Sequence, residues 1–518
     1  MVSGVNTIHA PSVSYHAIAP ILIILGAAML GVLAEALVPR AERYTAQLAI
    51  SLGGLIAAMI TVVMLHGKNL TTLSGAVAVD GSGLFLQATI LLLAIMSVLL
   101  VAERSVDVGS PIVASAAVVV GSADDRRLAT TQRTQTEVFP MLLFAVSGML
   151  IFPVSNNLLL MFVALEVLSL PLYLMAGLSR RRRLLSQEAA LKYFLLGAFA
   201  SAFFLYGLAL LYGYANSVDL TAIRAATQGL PTGASPKSDV LLYAGLALLL
   251  VGLLFKAGIA PFHSWTPDVY QGSPTPVTAF MASCTKVAAF GAILRVLYVG
   301  FHATAWNWRP IIWAVAIASM AVGAIFGLTQ TDIKRVLAYS SIAHAGFLMV
   351  GMVSLTKDGI ASILFYLLTY GFSTLAAFGL LMLVRDADGE ATHLSQWSGL
   401  ARKSPVVATV MTVLLMSMAG IPLTSGFIGK FYVFRSAYHV AAPLVVMALL
   451  FSAVAAFYYL RIVVLMFFAE PPENGPTIAI PGWSTTVALT FGVTVTVILG
   501  IIPQPVLDWA ARAAKLVG

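Results

Sequence analysis

The sequence predicts an all-α polytopic membrane protein, and three observations carry that prediction. Of 518 residues, 60% are hydrophobic and only 10% charged, against roughly 45–50% and about 25% in soluble globular chains. The apolar residues gather into runs near the length of a bilayer-crossing helix, about 20 residues. Most Lys and Arg residues stand in the short connections between those runs, where they orient a membrane protein. The apolar content suffices for about fourteen spans.

Taken in order, the apolar runs lie at 18–38, 46–66, 83–103, 137–154, 156–178, 190–214, 240–270, 275–300, 310–330, 334–353, 359–384, 404–436, 439–469 and 482–503. Each is bounded by polar residues or by Pro and Gly. The stretch 104–136 holds an apolar run of only about ten residues, too short to span, and reads as a loop. The first twenty residues contain no Lys or Arg and so lack the basic start of a signal peptide. With the N-terminus outside, fifteen Lys and Arg fall in the cytoplasmic connections and seven on the opposite side. That bias puts both termini outside the cytoplasm.

Several functions are excluded. Cys284 is the only cysteine, so neither a disulfide scaffold nor cysteine-ligated iron–sulfur or zinc sites can form within the chain. Nucleotide and flavin fingerprints, phosphate loops and zinc-protease motifs are absent. Redox chemistry must therefore belong to another chain. The net charge of +8 is explained by orientation rather than by nucleic acid.

Seven cations fall inside the apolar runs: Lys192, Lys256, Lys286, Arg295, Lys430, Arg435 and Arg461. A charge at a helix centre costs roughly 2.5–3.5 kcal/mol on insertion scales, so such residues face a bundle interior or a polar path. Glu166 and Lys286 are near mid-span. For Glu166 the bland alternative is a neutral carboxyl bonded to a neighbouring helix; for Lys286 it is a strained reach to an interface. Lys192 is close to a span end, where simple snorkelling competes with a role. Arg295, Arg435 and Arg461 read as interfacial anchors, and Glu35 as an interfacial residue.

Two spans look interrupted. GIAPFHSWTPDVYQGSPTP places Pro261 in the seventh run, and MAGIPLTSGFIGKF places Pro422 in the twelfth. Proline removes a backbone donor, and freed carbonyls in a membrane need protein or water as partners. Either break alone could be an ordinary kink. Both carry a Gly-Ile dipeptide and a nearby lysine, and they lie five spans apart. A five-helix unit reverses polarity on repetition, which makes spans 4–8 and 9–13 inverted repeats. Paired broken helices in inverted repeats point to an ion path.

FKAGIAPFHSWTPDVYQGSPTPVTAFMASCTKVAAF (255–290), DIKRVLAYSSIAHAGFL (332–348) and GIPLTSGFIGKFYVF (420–434) resemble the antiporter-like membrane subunits of respiratory complex I, the proton-pumping NADH:quinone oxidoreductase of bacteria. The likeness covers about residues 137–470. WTPDVYQGSPTP and a lysine at 430 favour the subunit N branch, and the short stretch after span fourteen sets the chain apart from the branch with a long lateral helix.

The resemblance implies fourteen helices and proton translocation driven by quinone reduction elsewhere in the complex. It implies a relay of Glu166 paired with Lys256, then Lys286 and Lys430, with Lys192 on the sixth helix and His344 as a link. It implies no cofactor or metal on this chain, with flavin, iron–sulfur clusters and quinone on partner subunits. The partners expected are the antiporter-like subunit M, small membrane subunits and the lipid bilayer. The place expected is the bacterial cytoplasmic (inner) membrane.

The implied organisation is a three-helix segment plus cytoplasmic loop (1–136), two repeats (137–300 and 310–469) and a final helix with its tail (482–518). The 104–136 insertion and the Arg180–Arg183 run depart from the family pattern and receive no function. The rival readings are a subunit of a multisubunit Na⁺/H⁺ antiporter, a membrane subunit of a hydrogenase-type complex, and a structural scaffold. Co-purifying partners separate them.

Overall fold

A computed structural model describes residues 13–106, 111–113, 118–119, 122–124, 127, 134–229, 238–386, 389–473 and 475–517. Most of the 104–136 connection, including Arg126 and Arg133, lies outside the described residues, as do residues 1–12 and Lys237.

The chain is a bundle of helices: α1 (Tyr15–Leu37), α2 (Arg43–Met64), α3 (Gly81–Val101), α4 (Val138–Ile151), α5 (Leu158–Ala176), α6 (Arg183–Ala215), α7 (Asp239–Ala257) and α8 (Trp265–Gly272). It continues through α9 (Thr275–Gly300), α10 (Ala305–Thr329), α11 (Ile333–Met352), α12 (Lys357–Leu381), α13 (Pro405–Ala419), α14 (Ser425–Phe468), α15 (Trp483–Ile501) and α16 (Gln504–Ala513). Among the described residues, eleven helices are long and apolar enough to cross a bilayer, and two more apolar helices are shorter. The chain is thus a predominantly α-helical, multi-pass membrane protein.

Burial sorts the helices into layers. The apolar stretches of α9 and α12 are buried on every side, and α3 is nearly so; α2, α6 and α14 keep most of theirs exposed. The first three form the axis and the last three face outward. Helices of the bundle meet through small residues, as is usual where lipid offers no hydrophobic contrast. A methyl group added to Gly207 would come within 2.5 Å of the α7 backbone nitrogen of Leu249.

The two interruptions have one construction. Helix α7 ends on Gly258 (φ 69°, ψ 42°) and α13 on Gly420 (φ 86°, ψ 42°), both left-handed. The next residue in each case, Ile259 or Ile421, donates its backbone N–H five residues back, to the carbonyls of Leu254 and Met416, both at 3.0 Å. This is a Schellman closure, which satisfies end carbonyls and favours glycine because the left-handed turn costs it least. The recurrent Gly-Ile pair is the signature of two matching helix stops.

Differences from the sequence reading have local causes. Span thirteen is continuous with the second half of span twelve in α14, bent at Ala441 (φ −149°, ψ 41°), two residues before Pro443. Connections read as irregular hold short strands: β1 (Leu70–Thr72) pairs with β2 (Val77–Val79), and β3 (Val384–Asp386) lies between β4 (Gly389–Glu390) and β5 (Thr477–Ile478). Two- and three-residue strands are too short to leave a period in the sequence. Arg295 is not an interfacial anchor. It is fully buried in an ion pair with Asp80 at 2.7 Å and donates to Pro153 O and Val517 O.

The Arg180–Arg183 run has a structural task. Arg182 donates to Thr392 Oγ1 (2.8 Å) and Glu390 O (3.2 Å), and Arg183 to Val118 O (2.7 Å). It ties the start of α6 to two connections at the same end of the bundle.

Candidate functional site

Three buried lysines occupy the interior, and their carbon stems need little help there. Their ammonium groups do, at roughly 2.5–3.5 kcal/mol each before compensation. Hydrogen bonds to a charged group return about 1.5–3 kcal/mol apiece, so the partners decide how firmly each charge is held.

Lys256 stands in the last turn of α7, just before the Gly258 stop. Its Nζ donates to Ser169 Oγ on α5 (2.8 Å) and to Tyr193 OH on α6 (3.1 Å). The sequence reading expected direct pairing with Glu166. Instead Glu166 makes no ion pair with Lys256 within 4.0 Å; the two interact through space. The reason is register: Ser169 lies one turn further along α5 and its short side chain fills the place beside the ammonium. Glu166 is half-buried, with Oε1 shielded from solvent and unbonded.

Lys286 opens the α-helical part of α9 that follows a π-helical turn, Met281–Thr285. It has one hydrogen-bond acceptor, Ser341 O at 2.6 Å, and the Tyr370 ring 5.4 Å away. Of the three lysines it is the least compensated.

Lys430 lies on α14, ten residues beyond Gly420, and its stem folds back to the helix stop. Nζ donates to Met418 O, Ala419 O and Ser452 Oγ, each at 2.9 Å. The Schellman closure leaves those two last carbonyls of α13 available, and a helix C-terminus attracts a cation. The break and the lysine therefore form one unit. Lys430 also faces a cleft of about 360 Å³ lined by Phe431, Phe434, Tyr438 and Leu449.

Helix α11 joins two of these sites. Ser340, Ser341, His344 and Phe347 lie on one side of it, at spacings of three and four residues that share a helix face. Lys286 bonds to Ser341 O, and Lys430 stands 4.9 Å from the Phe347 ring. The six residues between are about 9 Å of helix. His344 lies midway, with Nδ1 2.6 Å from Tyr366 OH and Nε2 3.3 Å from Tyr459 OH. Tyr459 OH also bonds to Ser340 Oγ. The charges of both Lys286 and Lys430 reach His344. From Lys256, stacked Tyr193 and Trp265 (centroids 4.6 Å) lead to Tyr270, which neighbours Ser341.

Lys192 is set apart from this line. It is partly exposed and pairs with Glu188 (2.5 Å) and Asp268 (2.6 Å); Asp268 also takes Arg335 Nη1 at 2.7 Å. An exposed pair of this kind contributes about 0–1 kcal/mol. Lys192 meets the site only through its neighbour Tyr193.

Thus the structure brings Lys286, His344 and Lys430 onto one helix face, seats Lys256 one aromatic step away, and puts Glu166 and Lys192 at the margins. Sequence reasoning missed Ser169, Tyr193, Tyr366, Tyr459 and Ser452. Their signal was faint: single hydroxyls one turn from a charge in an apolar span, such as Ser169 after Glu166.

Comparison with known proteins sharpens this picture. Residues 155–466 match the family model described as "NADH:quinone oxidoreductase/Mrp antiporter, TM". NADH-quinone oxidoreductase subunit N of Saccharopolyspora erythraea is 60% identical over 513 residues, 98% of each chain. A chain in the structure of respiratory complex I from Thermus thermophilus with bound aureothin is 35% identical, with TM-score 0.76, over 95% of this chain and 99% of that one. A chain of the Mrp complex from Dietzia shares the fold (TM-score 0.80, over 97% of both) at only 21% identity. The chain therefore belongs to the NADH:quinone oxidoreductase/Mrp antiporter membrane-subunit family, within its subunit N branch.

Proposed function

We propose that this chain is the subunit N of a bacterial NADH:quinone oxidoreductase and moves protons through its buried Lys256–Lys286–His344–Lys430 line. It is an enzyme subunit without redox chemistry of its own; quinone reduction in partner subunits drives it. The observation that carries the reading is the alignment of Lys286, His344 and Lys430 along one face of α11. The Na⁺/H⁺ antiporter alternative is not favoured: identity to an Mrp chain is 21%, against 35–60% for complex I chains.

The step is electrostatic. An ammonium in a low-dielectric site holds its proton less firmly, and a nearby carboxylate restores the hold. At about 5–7 Å and an effective dielectric constant of 20, one charge is worth about 2–3 kcal/mol, roughly a hundredfold in proton affinity. A change of charge at Glu166 therefore switches Lys256 between keeping and passing its proton. The proton goes on to Lys286, through His344 and its tyrosines, to Lys430 and the outer side. Lys192, paired with Asp268 at the rim, positions Tyr193 and shapes the entry.

The finer architecture belongs to the same reading. Fourteen spans include inverted repeats 4–8 and 9–13, and the matching Gly-Ile stops support that symmetry. The organisation is 1–136, 137–300, 310–469 and 482–518. Both termini face the periplasm of the cytoplasmic membrane. The partners are an antiporter-like subunit M and small membrane subunits, with flavin, iron–sulfur clusters and quinone held by other chains.

The test is pumping per NADH oxidised in inverted vesicles carrying Lys256→Met or Lys286→Met in the intact complex. Assembly with lost pumping supports the relay; a wild-type ratio in both variants overturns it.

A further inference from the structure

At the end of the bundle that holds the C-terminal tail, α2, α3 and α16 enclose a half-open cavity of about 620 Å³. That is about twenty times a water's share of liquid volume. Its floor is apolar, made by Met59, Val62, Leu84, Ala88 and Leu92. Trp509 of α16 covers one side, its ring 4.3 Å from that of Phe85.

The rim is cationic: Lys68, Arg512 and Lys515 line it, beside His66, and no carboxylate does. All three cations are exposed, and none makes an ion pair among the described residues. Three like charges converging without a counterion repel one another, so an anion is favoured there.

The rim is also fixed in place. Ser82 bonds through N to Lys515 O (3.3 Å) and through Oγ to Ala513 O (2.9 Å). Two residues on, Val517 N donates to Asp80 Oδ2 (2.9 Å), and Arg295 Nη1 donates to Val517 O (3.0 Å). The buried Asp80–Arg295 pair thus anchors the tail that presents Arg512 and Lys515 to α3. A site built before its ligand arrives binds at lower entropic cost.

We infer that this cleft binds an anionic phospholipid, its phosphate on Lys68, Arg512 and Lys515 and its acyl chains along the groove between α2 and α3. A soluble anion would leave the apolar floor unused. A zwitterionic lipid would bring an ammonium toward three cations. Beside the groove α2 exposes Ile56, Ile60 and Val63, an outward face continuous with lipid, and a tryptophan at the rim suits the membrane interface.

The experiment uses the intact, delipidated complex, titrated with diazirine-bearing phosphatidylglycerol and then mapped for labelled peptides. Labelling within 59–92 or 504–517 should saturate, and unlabelled phosphatidylglycerol should compete while phosphatidylcholine does not. The triple variant Lys68→Gln/Arg512→Gln/Lys515→Gln should weaken it roughly a hundredfold, each basic residue at a membrane surface being worth about a factor of five. Lys68→Arg/Lys515→Arg, which keeps charge, should restore it in complexes of equal integrity. Equal labelling in the triple variant, equal competition by phosphatidylcholine, free phosphate displacing the probe, or the cleft cross-linking to another subunit would each overturn the proposal.

Discussion

Replacing Lys430 by arginine separates a relay from a structural charge. Lys430 makes three 2.9 Å hydrogen bonds, two of them to the last carbonyls of α13. At about 1.5–3 kcal/mol each, they more than offset the roughly 2.5–3.5 kcal/mol cost of placing the charge in the membrane. Arginine keeps the charge and offers five donors to the same carbonyls, and the adjoining cleft of about 360 Å³ accommodates the larger head. Assembly should be preserved. Proton transfer should not: at pH 7 arginine releases a proton only at a cost of about 7–9 kcal/mol, leaving roughly one neutral side chain in 10⁵–10⁷. The expected result is an intact complex with reduced protons pumped per NADH and slowed NADH:quinone turnover. A wild-type pumping ratio would refute the relay role and leave Lys430 as a helix-end counterion.

Four further outcomes follow from the same structure. Glu166→Gln should assemble and lose most pumping, since it removes about 2–3 kcal/mol of through-space control over Lys256; vesicle pumping at the wild-type ratio would contradict the switch. Asp80→Asn breaks the buried pair with Arg295 and should destabilise the chain by about 3–5 kcal/mol, seen as a lower thermal midpoint and faster proteolysis of the C-terminal tail; an unchanged midpoint would contradict it. For Glu390, burial works against the carboxylate, but Lys334 at 2.8 Å outweighs it, with Thr275 and Arg385 helping, and holds its pKa below the usual value. Its stabilisation is therefore full above the unfolded value of about 4.3 and fades as pH falls below that. Glu390→Gln should lower the thermal midpoint at pH 7, with the gap to wild type closing at about pH 4; a gap independent of pH would argue against the charge. Cysteine at exposed Lys357 should react with an impermeant maleimide from the periplasmic side and cysteine at exposed Arg402 from the cytoplasmic side, over a low background because Cys284 is buried; the reverse pattern would invert the topology.

The parts of this molecule legible in its sequence are those written in strong local signals. Apolar runs placed the helices, and the buried lysines announced themselves because charge in an apolar run is expensive. The Gly-Ile pairs marked both helix stops, since a left-handed closure selects glycine. What the sequence hid was long-range register. Nothing local tells that Ser169 rather than Glu166 sits against Lys256, or that Arg295 meets Asp80 across 215 positions instead of the interface. His344 was readable as a link, but its tyrosines were not, because Tyr366 and Tyr459 come from separate helices that only packing brings together.

The π-helical turn at Met281–Thr285 has a consequence for how this chain tolerates change in length. A π turn holds one residue more than an α-helical ladder requires. Removing one residue within 281–285 lets the turn relax to an ordinary α-helix, while the segments on either side keep their faces. Adding a residue, or deleting one beyond Lys286, instead rotates everything downstream by about 100° and shifts it by about 1.5 Å. In α9, buried on all sides, such a rotation would carry Arg295 away from Asp80. The turn therefore serves as slack in an otherwise rigid axis, the one place near Lys286 where the chain length can vary by one and the ammonium still be delivered to Ser341.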